Sequence, residues 1–261
     1  MPPLPEPAVL ARPVTPLEAG ILISVVVPVR DEGPNILPLI AEIGAALAGL
    51  AHEIVYVDDG STDDTPGRLA EAARIPGARL VRLRHARSCG QSAAIASGVR
   101  VARGAWIATL DGDGQNDAAD IPALLDRALA EERLGGPVLV TGHRTQRQDR
   151  AGKRVASRVA NAVRGALLKD GTPDTGCGLK LFQREAFLDL PRFDHMHRYL
   201  PALFLRAGGR VVSVPVNHRP RLHGRSKYGT LDRLRVGLLD LVGVYWLTRR
   251  ACRPEVEGPQ R

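Results

Sequence analysis

"ILISVVVPVRDEGPN", residues 21–35, decides the fold. Its first nine residues form an unbroken, β-rich apolar run, and charge arrives only at Arg30, Asp31 and Glu32. An entirely apolar strand is one covered on both faces, as in a parallel sheet flanked by helices. The same unit recurs along the chain. "EIVYVDD" (53–59), "ARLVRLR" (78–84), "AWIATLD" (105–111) and "PVLVTG" (137–142) read as further strands. Helical patterns fall between them at 34–49, 63–74, 91–103 and 118–134, with Thr62 or Asp63, and Asn116 or Asp117, as N-cap candidates. The prediction is a doubly wound α/β domain with a mainly parallel sheet over about 21–145.

The quoted stretch also excludes the commonest fold of this class. A dinucleotide-binding domain needs G-x-G-x-x-G after its opening strand. Here "VPVRDEGPN" has one glycine and three charges, and the later junction "HARSCGQSAA" (85–94) has only Gly90.

Ligands of open α/β sheets sit beyond the carboxyl ends of the strands. Three acidic clusters occupy those positions: "VRDEGPN" (29–35), "DDGSTDD" (58–64) and "DGDGQND" (111–117). In the last, Asp111 and Asp113 are separated only by Gly112, and Gln115 follows. Two carboxylates and an amide oxygen form a hard, all-oxygen set suited to Mg²⁺ or Mn²⁺. Magnesium usually completes its shell with water and substrate phosphate, so the set implies a diphosphate ligand as well as an ion. Asp58 and Asp59 can accept hydrogen bonds from a nucleobase or ribose, while Asp63 and Asp64 suit helix capping. Pro28 can shape the pocket and Glu32 can reach a ribose; alternatively Arg30 and Glu32 form a surface pair.

Beyond residue 145 the pattern changes. Residues 150–170 carry Val155, Val159, Val163 and Leu167 four apart among basic residues, the pattern of an amphipathic helix. A Gly-rich loop (171–178), "GLKLF", a helix near 197–207, the alternating "RVVSVPVNHR" and the basic loop "RPRLHGRSKYG" follow. The last helix has an apolar core from Val236 to Leu247, too short for the ~20 residues a bilayer span needs. Basic residues on both sides, with Tyr245 and Trp246 near its end, suit a helix lying in a membrane interface; a helix packed on the domain is the alternative.

Net charge is equally uneven. Of 36 Lys/Arg and 28 Asp/Glu, residues 205–261 hold 12 and 4, so the whole surplus of +8 lies there. Such an end suits an anionic membrane surface or a phosphorylated substrate. It lacks the interleaved aromatics of a nucleic-acid platform. Three distant cysteines (Cys89, Cys177, Cys252) fit a reducing cytoplasm and argue against a disulfide framework or a zinc site. His85, His143, His218 and His223 likewise lack metal-ligand spacing. Residues 1–20, with six prolines, read as a flexible lead-in without the features of a signal peptide.

"VPVRDE", "VDDGSTDDT", "GQSAAIASG", "LDGDGQND", "DTGCGLKLF" and "RLHGRSKYG", in that order, resemble the family 2 glycosyltransferases of GT-A fold. Within them the chain looks like the polyprenyl-phosphate sugar transferases of the dolichol-phosphate mannose synthase group. The similarity covers roughly 21–250, with a catalytic domain over 21–228 whose nucleotide-binding half ends near 145 and whose acceptor half follows from 146. An interface helix at 229–250 and a tail at 251–261 complete the division. The resemblance implies a UDP- or GDP-linked sugar donor, a polyprenyl-phosphate acceptor, and Mg²⁺ or Mn²⁺ at Asp113 and Gln115 with Asp111 beside donor and metal. It implies that Asp59 reads the base and that Glu32 lies in the nucleoside pocket, with Pro28, Arg30, Asp58 and Gln91 around the donor.

The chain departs from the family at Arg30-Asp31, at "NDAAD" after the acidic motif and at "CGLK", where Lys180 replaces a common arginine. Many relatives carry membrane spans after the catalytic domain, which leaves room here for a small integral-membrane partner. The expected reaction is an inverting transfer at the cytoplasmic face of the membrane by a peripherally attached enzyme. A lipid phosphate is already largely ionised near neutral pH, its second pKa being ~6, so no strong base is required. Cations must instead hold two anionic partners in line. Arg144, Arg221 and Lys227, with Ser226 as a neutral donor, are the candidates, and Asp174 can orient the acceptor or serve as base toward a hydroxyl. Transfer to a glycan hydroxyl, or a catalytically silent membrane-recruitment module, are the competing readings.

Overall fold

The structure is a computed structural model that describes residues 20–75, 77, 79–145, 164–221 and 230–250. Seven strands form one sheet in the order β3-β2-β1-β4-β6-β5-β7. They are β1 (Ile23–Val29), β2 (His52–Asp58), β3 (Leu80–Arg84), β4 (Trp106–Thr109), β5 (Val138–Arg144), β6 (Lys180–Gln183) and β7 (Arg210–Val216). Strands β1, β2, β3 and β4 run parallel, β6 is antiparallel to β4 and β5, and β7 is parallel to β5. The mainly parallel, doubly wound sheet therefore holds, with β6 as its one reversed strand among those described.

Helices cover both faces. On one lie α1 (Gly33–Ala46), α2 (Thr65–Ala72) and α4 (Ile121–Glu132); on the other lie α3 (Gln91–Val101), α6 (Arg184–Leu188) and α7 (Leu200–Arg206). The alternation of β1 shows why its sequence is apolar apart from the buried Ser24, which donates to Glu53 Oε1 at 2.7 Å. Val25 and Val27 pack with Ile36, Leu39 and Ile43 of α1, whereas Val26 packs with Ala94, Ile95 and Val99 of α3. Successive strand side chains point to opposite faces, and here both faces are buried. The helix α5 is described over 164–168 only.

Reversal of β6 matters for function. Because Thr109 pairs with Lys180, β6 begins where β4 ends, and the loop before it is delivered to the acidic edge. After β7 the chain crosses back: Asn116 bridges His218, and Arg219 donates its backbone N–H to Gln115 O at 2.9 Å. Two segments a hundred residues apart are thereby clamped at one edge.

The last helix, α8 (Thr230–Arg249), joins the body through Leu241 and Val244, which pack with Leu168, Tyr199 and Ala202. Tyr199 donates its hydroxyl hydrogen bond to Gly237 O at 3.1 Å, and Arg206 Nε donates to Leu247 O at 2.8 Å. Leu238, Leu239, Val242 and Trp246 face outward. One stripe of this helix thus packs on the domain and another is bare. Among the described residues no helix is long and apolar enough to cross a membrane.

Candidate active site

The centre of the site is the turn that follows β4. Gly112 lies so close to β1 that a Cβ there would fall 2.3 Å from Val29 Cγ1 and 3.3 Å from Pro28 O. Gly114 takes φ +74°, a conformation costly for a side-chain-bearing residue. These constraints hold Asp111 and Asp113 in a tight turn. Asp113 Oδ1 accepts from Gln115 N at 3.1 Å, which knots the turn internally. Asp111 Oδ1 accepts from Gln91 Nε2 at 2.8 Å, and its other oxygen abuts Gly178, where a Cβ would lie 2.1 Å away. Gln91, the first residue of α3, thus contacts the acidic motif as expected of a donor-side residue.

Burial first, and then the neighbouring Asp113 charge, push the Asp111 carboxyl above its ordinary range; Lys180 and Arg144 act the other way. Two carboxylates this close call for a cation. Arg221 supplies one: its Nη2 lies 2.6 Å from Asp113 Oδ2 and 3.5 Å from Glu32 Oε1. A guanidinium here is a stand-in for a divalent ion, and the surrounding donors are hard oxygens. On those two grounds the residues fit Mg²⁺ or Mn²⁺. Gln115 Nε2 donates to Arg219 O at 3.4 Å, which ties its side-chain amide to the returning strand. Arg219 itself pairs with Glu42 at 2.6 Å and holds Asn116 O at 3.0 Å.

Arg144 and Asp174 differ from expectation. They form a two-pronged ion pair, Nε to Oδ2 at 2.7 Å and Nη2 to Oδ1 at 2.8 Å, in a largely buried setting. Burial lowers the Arg144 pKa, but the bonds to Asp174 outweigh it, so the arginine is held firmly charged. A carboxylate neutralised in this way is a poor proton acceptor. Asp174 as a base is therefore corrected to a structural partner of Arg144. Beside the pair, the fully enclosed Lys180 donates to Thr175 O at 3.2 Å and to Cys177 O. Burial depresses its pKa, while Cys177, Asp111 and Asp174 oppose that shift. Lys180 thus folds the 172–178 loop against the floor of the site.

On the nucleoside side the expectation also changes. Asp59 is buried, and its two oxygens accept four hydrogen bonds: Cys89 N (2.8 Å), Gly90 N (2.9 Å), His85 Nδ1 (2.7 Å) and Ser88 Oγ (2.8 Å). Burial raises its pKa, but these bonds together bring it below the ordinary value. Asp59 therefore braces the 85–90 loop and presents no unused acceptor; contact with a base requires Ser88 or His85 to swing away. Asp58 accepts from Ser61 N at 2.8 Å, and its buried Oδ2 has no hydrogen bond. Arg30 bonds Ser88 Oγ at 3.0 Å, while Glu32 accepts from Asn35 Nδ2 at 2.7 Å and faces Arg221. Asp117 accepts from Ala119 N at 3.0 Å, the expected capping role, whereas Asp63 accepts from Thr65 N at 2.9 Å from the position before Asp64, the N-cap of α2, whose side chain makes no capping bond. Ser226 and Lys227 lie outside the described residues.

Sequence reasoning passed over Arg219 and gave His85 no role. Arg219 carried a weak signal, since it stands two residues from Arg221 in the same basic run. His85 carried none, because its partners are brought to it by the fold.

The acidic turn after β4, with basic residues returning to it, lies at the ligand edge of a mainly parallel α/β sheet. The family described as glycosyl transferase family 2 matches residues 24–190, and the chain belongs to it. It is 36% identical over 242 residues to dodecaprenyl-phosphate galacturonate synthase of Rhizobium johnstonii, covering 89% of this chain and 69% of that protein. It is 33% identical over 222 residues to undecaprenyl-phosphate 4-deoxy-4-formamido-L-arabinose transferase of Edwardsiella ictaluri, covering 84% and 66%. The chain thus spans about two thirds of the length of these relatives. Among solved structures, glucosyl-3-phosphoglycerate synthase of Mycobacterium tuberculosis with Mg²⁺ and UDP matches with a TM-score of 0.63 at 25% identity, over 91% of this chain and 82% of that one. The same enzyme with Mn²⁺, UDP-glucose and glycerol 3-phosphate matches with a TM-score of 0.61 at 26% identity, over 91% and 82%. The fold is GT-A-like, and the chain is a glycosyltransferase by family.

Proposed function

We propose that this chain transfers a sugar from a UDP- or GDP-linked donor to a polyprenyl phosphate, with inversion, at the cytoplasmic surface of the membrane. The observation that carries the reading is the cation-held acidic turn, Asp113 under the Arg221 guanidinium at 2.6 Å, at the ligand edge of a family 2 fold. Asp113 and Gln115, with Asp111 beside them, would hold a divalent ion, whose chemistry would be electrostatic stabilisation of charge on a departing diphosphate. The relatives named above support a polyprenyl-phosphate acceptor by their names.

The state of Asp174 supports the same acceptor. A sugar hydroxyl needs a general base, whereas a phosphate arrives as its own nucleophile. The candidate base is committed to Arg144. What the site offers instead is positive charge: Arg221 at its mouth and Lys180 beneath it. Arg221, freed from Asp113, and Lys227 and Ser226 beyond it in the chain then contact the phosphates.

Membrane attachment falls to α8. Leu238, Leu239, Val242 and Trp246 recur at i, i+1, i+4 and i+8, one side of a helix, and each is more than half exposed. Arg249 and Arg250 lie over the Tyr245 and Trp246 rings at 4.5 and 6.0 Å. An apolar stripe ending in aromatic and basic side chains matches an anionic bilayer interface.

The reaction is tested by screening nucleotide sugars against a short prenyl phosphate and weighing the products. A sugar-phosphoprenol product that vanishes in Asp113→Ala supports the proposal; product from a glycan alcohol but not from prenyl phosphate overturns it.

A further inference from the structure

We propose that Asp59, His85 and Cys89 form a second cation site, one that takes a thiophilic divalent ion such as Zn²⁺. It is separate from the oxygen site at Asp113, and an ion held there would compete with the nucleobase contact that the family resemblance implies for Asp59. One ligand atom from each of the three residues lies within 4.8 Å of the others. Nitrogen, sulfur and carboxylate oxygen together are the donor set of tetrahedral zinc, with a fourth position left for water. They are a poor set for magnesium.

The supporting contacts are already in place. In metal sites, a ligating histidine donates its second ring nitrogen to a neighbour, which fixes ring and tautomer. His85 Nε2 lies 3.0 Å from Ser97 Oγ, leaving Nδ1 directed at Asp59 Oδ1 at 2.7 Å. The carboxylate is fixed as well, because Ser88 Oγ and Gly90 N hold its other oxygen. Cys89 is exposed, which gives an ion access, and its thiol makes only a long bond to Arg87 O at 3.3 Å. Zinc bonds of ~2.0 Å to nitrogen and oxygen and ~2.3 Å to sulfur set ligand atoms roughly 3.3–3.7 Å apart in a tetrahedron. The His85–Asp59 contact must open by about 0.6 Å, and the thiol must close by at most about 1 Å, both within side-chain adjustment.

Protons balance simply. The Cys89 thiol proton passes to solvent as the thiolate binds. His85 binds as neutral imidazole through Nδ1 and keeps its single proton on Nε2, where Ser97 Oγ accepts it. One proton is released per ion, so affinity rises with pH. The ion would take the place of the hydrogen bond between His85 and Asp59 and pin the loop that leads through Gly90 to Gln91, the residue holding Asp111.

The test is titration of the whole chain, carrying Asp113→Asn to silence the oxygen site, with Co²⁺ as a spectroscopic probe and no nucleotide or lipid present. One equivalent should produce a thiolate-to-cobalt charge-transfer band, displaced by Zn²⁺. Cys89→Ser should abolish the band, and Ser97→Ala should weaken binding about 10-fold or more. No band, or a band that survives Cys89→Ser, overturns the assignment. Sugar transfer is measured separately, so its failure leaves this result readable.

Discussion

Arg221 makes two demands that pull in opposite directions. Its guanidinium occupies Asp113, the carboxylate a divalent ion needs, with an Nη2–Oδ2 distance of 2.6 Å and side chains only 26% and 13% exposed. A hydrogen bond to a charged partner contributes about 1.5–3 kcal/mol. Each ~1.4 kcal/mol is a factor of ten in affinity. An ion must break this bond before it can use Asp113 Oδ2, so Arg221→Ala should bind Mn²⁺ about 10- to 100-fold more tightly without nucleotide. Removing a positive charge from the site acts in the same direction. Yet the same variant should turn over more slowly, because the residue released from Asp113 is the one proposed to hold phosphate. Titration of free Mn²⁺ by electron paramagnetic resonance reads the first effect, and steady-state transfer to prenyl phosphate reads the second. Unchanged or weaker Mn²⁺ binding in Arg221→Ala refutes the idea that the guanidinium stands in for the ion.

Three further outcomes are expected. Gly178→Ala places a methyl 2.1 Å from Asp111 Oδ2 and should lower turnover by about 100-fold, the scale set by ~1 Å misplacement, while Gly44→Ala, in α1 with nothing near its Cβ, should spare it; equal losses in activity at both sites contradict the steric argument. The hydrogen bonds to Asp59 hold its carboxyl below the ordinary aspartate pKa despite burial, so the stability it confers is present above the ordinary value and is lost as pH falls through the lower folded one. Asp59→Asn should therefore flatten the acid limb of a urea-unfolding profile, and an identical limb in both proteins contradicts the assignment. Replacing the exposed Leu239 by Glu should weaken flotation with anionic vesicles by more than about 10-fold, since a buried leucine contributes roughly 1.5–3 kcal/mol, without altering the fold. Undiminished flotation removes α8 from the membrane contact.

The sequence by itself determined the layers and the chemistry of the central turn. Val25, Val26 and Val27 of β1, and Ile54, Val55 and Val57 of β2, are consecutive or nearly consecutive apolar residues because both faces of those strands are buried, and that information is local. The spacing of Asp111, Asp113 and Gln115 is local too, so an oxygen donor set suited to a hard cation is legible in the sequence. Only the tertiary structure decided which charges are free to act. Arg144 and Asp174 are thirty residues apart and cancel each other; Arg221 reaches Asp113 across 108 residues; Asp59 meets His85 and Cys89 because β2 and β3 lie side by side. The direction of β6, which brings Lys180 beneath the site, was equally hidden. Periodicity reports which face a residue is on, but the partner of a charge is set by strand order and loop return, and these depend on the whole chain closing around one core.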